Sequence, residues 1–285
     1  MSRNFGVQVL LFMLITAVTV GCGSGSAQLV MPTATPEISG AQPAGQLDVG
    51  SKQISDKDGM TLLYVPAGEF TMGSNQGDSR EKPEHPVYLD AFWIDQTEVT
   101  NALYAKCVKA GECQAPLSTT PRTRPSYYGN PQFDAYPVVN VAWYDAKKYC
   151  EWAGGDLPTE AQWEKAARGT DGRLYPWGNA VPDKTRLNYN QEVGDTTQIG
   201  IYPAGASPYG ALDMAGNVWE WVADWYGADY YSGSPGRNPT GPTSGDGRVL
   251  RGGSWANGAL FARASNRSRD YPGNRIDVSG FRCAR

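Results

Sequence analysis

An irregular mixed fold of α and β elements, low in regular secondary structure, is what this sequence of 285 residues predicts. Composition is the first reason: 34 Gly and 20 Pro describe a chain rich in turns, while 9 Trp and 16 Tyr describe packing by large aromatics rather than a helical bundle. Patterning is the second, because strand-like runs give way to three helix-length patterns and then to loops. The third is the segment Asp213 to Trp225, which sets a glycine turn and the tryptophans Trp219, Trp221 and Trp225 among carboxylates. It reads as a rigid corner. A buried tryptophan needs a partner for its indole N–H, and Asp213 and Glu220 flank a turn at Gly216 whose carbonyls suit a hard cation such as calcium.

At the start of the chain, Arg3 precedes an apolar run from Val7 to Val20, too short for a comfortable membrane span but suited to a signal-peptide core. Thr19-Val20-Gly21-Cys22 follows and resembles a bacterial lipobox, with Thr19 where leucine is usual. Residues 1–22 are therefore expected to direct export, and Cys22 to become the lipidated first residue of the mature protein. Residues 23–57, rich in Pro, Ser, Gly and Thr, read as a disordered tether, since such a segment cannot bury enough surface to offset its ordering entropy. The folded domain is expected over 58–285, held on the outer face of the cytoplasmic membrane or in the cell envelope.

Within that domain, Met60–Val65 and Glu69–Gly73 read as two strands around Pro66-Ala-Gly68, and Val87–Ile94 as another. Thr100 can cap a helix that pairs Leu103 with Cys107 and Tyr104 with Val108, ending at Gly111. A second helix is expected over Val139–Ala153, where Trp143, Ala146, Cys150 and Ala153 share one face, and Gly154-Gly155 stops it. Thr159 and Gln162 form a capping box for a third, with Trp163, Ala166 and Ala167 as its apolar stripe and Gly169 as its end. Beyond Gly169, extended irregular structure is expected.

Charge and residue counts exclude several functions. A net charge of −4 without a basic run lacks the footprint that nucleic acid requires. The single histidine, His85, cannot build a histidine-rich zinc site or a two-histidine iron site, and beside Pro86 it reads as structural. With Cys22 set aside, Cys107, Cys113, Cys150 and Cys283 allow three disulfide pairings in an exported protein. A local Cys107–Cys113 bridge at the end of the first helix is favoured, which leaves Cys150 with Cys283. Closing that long loop contributes roughly 4 to 5 kcal/mol in the chain-entropy model.

Taken together, Val65–Ser74, Thr97–Asn101, Pro137–Trp143, Leu157–Glu164, Tyr175–Gly178, Asp213–Trp221, Arg251–Trp255 and Gly280–Cys283 resemble, in order, the motifs of the sulfatase-modifying-factor family, whose founding members are formylglycine-generating enzymes. The resemblance spans about residues 58 to 285. It implies the family's α+β, C-type-lectin-like fold, and it supports a Cys150–Cys283 bridge. It further implies a structural calcium ion held through Asp213, Gly216, Val218 and Glu220, and a second through Asn188, Tyr189 and, after a shorter loop, Asp195. Formylglycine-generating enzymes oxidise a client sulfatase cysteine with copper(I) held by two thiolates shortly after the Gly-Gly-Ser element. Here Asn257 and Ala262 stand at about those places, and neither offers the soft sulfur that copper(I) needs. Ser254 and Trp219 match positions lining the family's active-site groove.

The expectation is therefore a membrane-tethered module that keeps the scaffold, binds calcium rather than copper, and uses its groove to bind an unknown protein or small molecule. Asn257 to Asp277, rich in Asn, Arg, Ser, Tyr and Asp, has the mixture found on recognition surfaces. The alternative is an oxidase acting on a sulfatase cysteine with thiols drawn from elsewhere, such as Cys107 and Cys113.

Overall fold

A computed structural model describes residues 47–118, 123–124 and 126–285. Cys22, the expected signal and most of the expected tether lie outside the described residues. The C-terminal end of that tether does not stay apart from the domain: Lys52–Ile54 forms strand β1, paired with β2 (Thr61–Val65). β2 also pairs with β5 (Phe92–Asp95), giving an antiparallel sheet ordered β1-β2-β5. β3 (Gly68–Met72) and β4 (His85–Leu89) make a separate antiparallel pair. The single strand expected over Val87–Ile94 is thus two, broken at Asp90-Ala91 so that each half joins a different sheet.

Three helices follow. α1 (Asn101–Lys109) is capped by Thr100, whose hydroxyl accepts from Leu103 N. α2 (Trp143–Trp152) starts later than the Val139 expected, because Val138 N and Asn140 N bond outside any helix, to Val99 O and Ile276 O. α3 (Glu160–Arg168) carries the full Thr159/Gln162 capping box. Its outward face is covered too: Glu160, Glu164 and Lys165 are all buried.

The second half holds more sheet than its sequence suggests. β6 (Trp219–Trp225), β7 (Arg248–Arg251), β8 (Arg267–Asp270) and β9 (Ser279–Phe281) form a sheet ordered β8-β7-β6-β9, in which β6 runs parallel to β9. The tryptophan corner is an inner strand of this sheet. Its indoles find the partners burial demands: Trp221 Nε1 donates to Val141 O at 3.2 Å, while Trp143 Nε1 donates to Val222 O at 2.7 Å. Both cystine bridges, Cys107–Cys113 and Cys150–Cys283, are formed, the second tying α2 to the residues just after β9.

Candidate functional site

The edge of β6 and the turn before it bring acidic side chains from distant parts of the chain together. Glu220 is fully buried, and the Arg282 guanidinium grips both its oxygens, through Nε to Oε2 and Nη2 to Oε1 at 2.7 Å each. Trp163 Nε1 adds a third hydrogen bond to Oε2 at 2.8 Å. Asp213, in the left-handed backbone region with φ 56°, accepts Gly200 N at 2.6 Å. Glu98, beside β5 in sequence, is fully buried as well: one oxygen accepts Asn217 Nδ2 at 3.0 Å, and the other, Oε2, has no partner among the described residues.

Burial pushes Asp213 up to about 6, against the pull of the Gly200 hydrogen bond and Arg282. Burial also raises Glu98 well above the ordinary carboxylate range, helped by the like charges of Asp213 and Glu220. Three carboxylates here share one guanidinium, and negative charge is left in excess. Among the described residues no three acidic, histidine or cysteine side chains converge tightly enough to ligate an ion unaided, so a cation would need carbonyls of the Gly216–Val218 turn. The donor set fits a hard, oxygen-bound cation. Glu220 accepts hydrogen bonds on both oxygens, from Arg282 and Trp163, while Glu98 Oε2 has no partner among the described residues.

The expected second ion loop touches the first. Asn217, also at positive φ, accepts Thr197 N at 2.9 Å on its side-chain oxygen, and its backbone N–H donates to Asn188 O at 2.8 Å. Gly216 has φ 77°, and a Cβ there would lie 2.3 Å from Asn188 O, so only glycine lets the two loops approach. Asn188 donates from Nδ2 to Asp195 O at 2.8 Å, and its Oδ1 is buried with no partner among the described residues. Asp195 Oδ1 accepts Thr196 N at 2.6 Å and lies 3.6 Å from Arg124 Nη1. Thr123 Oγ1 bonds the other oxygen. The Tyr189 carbonyl, the donor expected there, accepts Glu192 N at 3.0 Å, while the side-chain hydroxyl donates to Pro182 O at 3.1 Å.

Residues 49–285 match the Sulfatase-modifying factor enzyme 1-like domain. The chain belongs to this family. It is 37% identical over 237 residues to the serine/threonine-protein kinase pkn1 of Chlamydia caviae, a match covering 79% of this chain and only 38% of that protein's length. It is 34% identical over 279 residues to the formylglycine-generating enzyme of Streptomyces coelicolor, covering 78% of this chain and 88% of the enzyme. Among solved structures, PvdO from Pseudomonas aeruginosa is similar with TM-score 0.71 and 28% identity, over 84% of this chain and 99% of that one. The fold is accordingly the α+β, C-type-lectin-like fold of the sulfatase-modifying factors.

Family membership gives the loop after β7 its meaning. Ser254 is buried, and its Oγ donates to Asn257 Oδ1 at 2.7 Å, while Ser254 N donates to the same oxygen at 3.1 Å. Asn257 N in turn donates to Ser254 O, so the residue at one thiolate place closes a tight turn on the serine. Ala262, at the other, is buried in a small apolar cluster with Leu187 and Ala215. Trp219 is 7% exposed, with Phe261 edge-on to it at 6.0 Å. Ser254 and Trp219 thus lie beneath the surface rather than lining an open groove.

One of the open clefts lies beside them. A cleft of about 320 Å³ runs between the Gln76–Arg80 loop and the wall formed by Leu260, Phe261, Arg263 and Asn266. Glu81, fully buried under it, clamps the two sides by accepting from Arg263 Nη2, from Ser265 Oγ at 2.7 Å and from Asn266 Nδ2 at 3.3 Å. Burial would raise Glu81, but the Arg263 and Ser265 hydrogen bonds outweigh it and hold the carboxyl below its ordinary value. Arg251 of the Arg-Gly-Gly-Ser-Trp motif braces the same wall from behind, donating to the carbonyls of Ala264, Ser265 and Asn266. Leu260 stands 70% exposed at the rim. The residues from Asn257 onward marked this region in sequence, but the Gln76–Arg80 wall was invisible, as nothing local ties it to a segment so far along the chain.

Proposed function

We propose that this protein is a non-oxidase member of the family: an exported module, tethered through lipidated Cys22, that binds a protein or small-molecule ligand in the cleft between Gln76–Arg80 and Leu260–Asn266. The observation that carries the reading is the state of the thiolate places. Asn257 and Ala262 supply no sulfur and serve local structure instead, and the four cysteines of the described domain are consumed in pairs. Copper(I) held by two thiolates has no donors in such an arrangement. A polar cleft with an exposed leucine and a half-buried phenylalanine at its edge suits recognition.

In the same reading the buried carboxylate pocket holds one structural calcium ion, with Glu98 and Asp213 as acidic donors, Gly216 and Val218 offering carbonyls, and Glu220 ordered by Arg282. Calcium there would neutralise the excess charge and lock the turn that precedes β6.

The similarity to a formylglycine-generating enzyme at 34% identity favours the competing oxidase reading, so the two are separated directly. Thiols of the denatured, unreduced protein are counted, copper is measured after loading with copper(I), and conversion of a Cys-x-Pro-x-Arg peptide is followed by mass spectrometry. The binding reading expects no accessible thiol in the domain, no stoichiometric copper and an unchanged peptide. Tight copper with aldehyde formation would replace it by the oxidase.

A further inference from the structure

We propose that the guanidinium of Arg124 stands in for the second ion of the family, so that the Asn188–Asp195 loop is held by a side-chain cation and takes no calcium. The inference uses the correspondence of Asn188, Tyr189 and Asp195 to the family's second ion loop and does not depend on what the cleft binds.

The geometry points to it on three counts. Arg124 Nη1 lies 3.6 Å from Asp195 Oδ1, so positive charge already sits at the buried carboxylate of the loop. The same guanidinium donates to Thr196 Oγ1 at 2.8 Å and to Thr196 O at 2.6 Å, fastening the backbone that an ion would otherwise order. It is also walled in by aromatic faces, with ring centroids of Phe133, Tyr136 and Tyr127 at 4.8, 4.9 and 5.4 Å. A cation in such a box is favoured by the ring quadrupoles and held in one place. Tyr127 closes the arrangement, its hydroxyl 3.0 Å from Thr196 Oγ1.

A calcium ion needs six to eight oxygens. Asp195 has both oxygens engaged, by Thr196 N and by Thr123, and a divalent ion placed on it would meet the neighbouring guanidinium. The unpartnered Asn188 Oδ1 is one neutral oxygen and too little alone.

The test counts calcium by elemental analysis after equilibrium dialysis of the mature chain, beside Asp195→Asn, Arg124→Met and Arg124→Lys, and melts each protein. The proposal expects Asp195→Asn to bind as much calcium as the parent, and Arg124→Met to melt well below it while Arg124→Lys recovers part of the loss. It is overturned if Asp195→Asn loses one equivalent of calcium, or if Arg124→Met melts with the parent. A parent that binds no calcium at all would remove the Glu98–Asp213 site and leave the Arg124 melts to decide this inference by themselves.

Discussion

At the residue scale, Glu98 and Asp213 tie the proposed calcium pocket to pH, and burial raises Asp95 to about 6 and Asp224 to about 8 elsewhere in the domain. Both carboxyls of the pocket are raised by burial, Asp213 to about 6, whereas an unfolded aspartate titrates near 3.9. The native state therefore holds a proton that the unfolded chain has already released, and stability without calcium falls as pH rises from about 4 through about 6. Calcium at the proposed site would bind the ionised form and so reverse this trend. Calorimetry at pH 5 and pH 7, with chelator and with calcium, is expected to show a larger gain in Tm from calcium at pH 7. Glu98→Gln should erase most of that gain. An equal gain at both pH values would count against a calcium ion in this pocket.

At the scale of elements, the turn leading into β6 fixes where the two loops meet. Gly216 approaches Asn188 so closely, and at a φ that suits glycine, that Gly216→Ala should cost about 2 kcal/mol or more from backbone conformation and contact together. Urea unfolding would measure it; a loss under about 0.5 kcal/mol, the range of an ordinary surface change, would show that the loops part freely. The same region shows what local pattern conveys. The helix cap at Thr159 and the stop at Gly169 were legible because both act within a single turn of chain. β6 was read as a corner because its sheet partners β7 and β9 lie far downstream, and their short runs, Arg248–Arg251 and Ser279–Phe281, carry no alternation of their own.

At the scale of the whole molecule, the two disulfides differ in reach. Cys107–Cys113 closes a separation of 6 residues and Cys150–Cys283 one of 133, which the chain-entropy model converts to about 2 and about 5 kcal/mol. Replacing Cys150 and Cys283 together by alanine should therefore destabilise the domain by more than the matching change at Cys107 and Cys113, as denaturant titration would report. Equal losses would mean that the long bridge does not limit the unfolded chain. Its ends link α2 to the C-terminal residues, where Cys283 N and Arg285 Nη1 both bond Asp95 on β5. The first sheet and the last strand are thereby drawn into one core.

The sequence by itself determined the features that are written locally or by composition: three helices with the caps of the first and third, a loop-rich aromatic fold, a local cysteine pair, the family resemblance, and residues without sulfur at Asn257 and Ala262. Tertiary structure alone decided that Glu98 joins Asp213 and Glu220, which cation sits beside Asp195, and which two loops wall the cleft beside Phe261. Glu98 meets Asn217 across 119 residues, and Glu81 meets Arg263 across 182. Contacts of that kind arise only when burial forces distant polar groups to satisfy one another, and no run of neighbouring residues records the choice of partner.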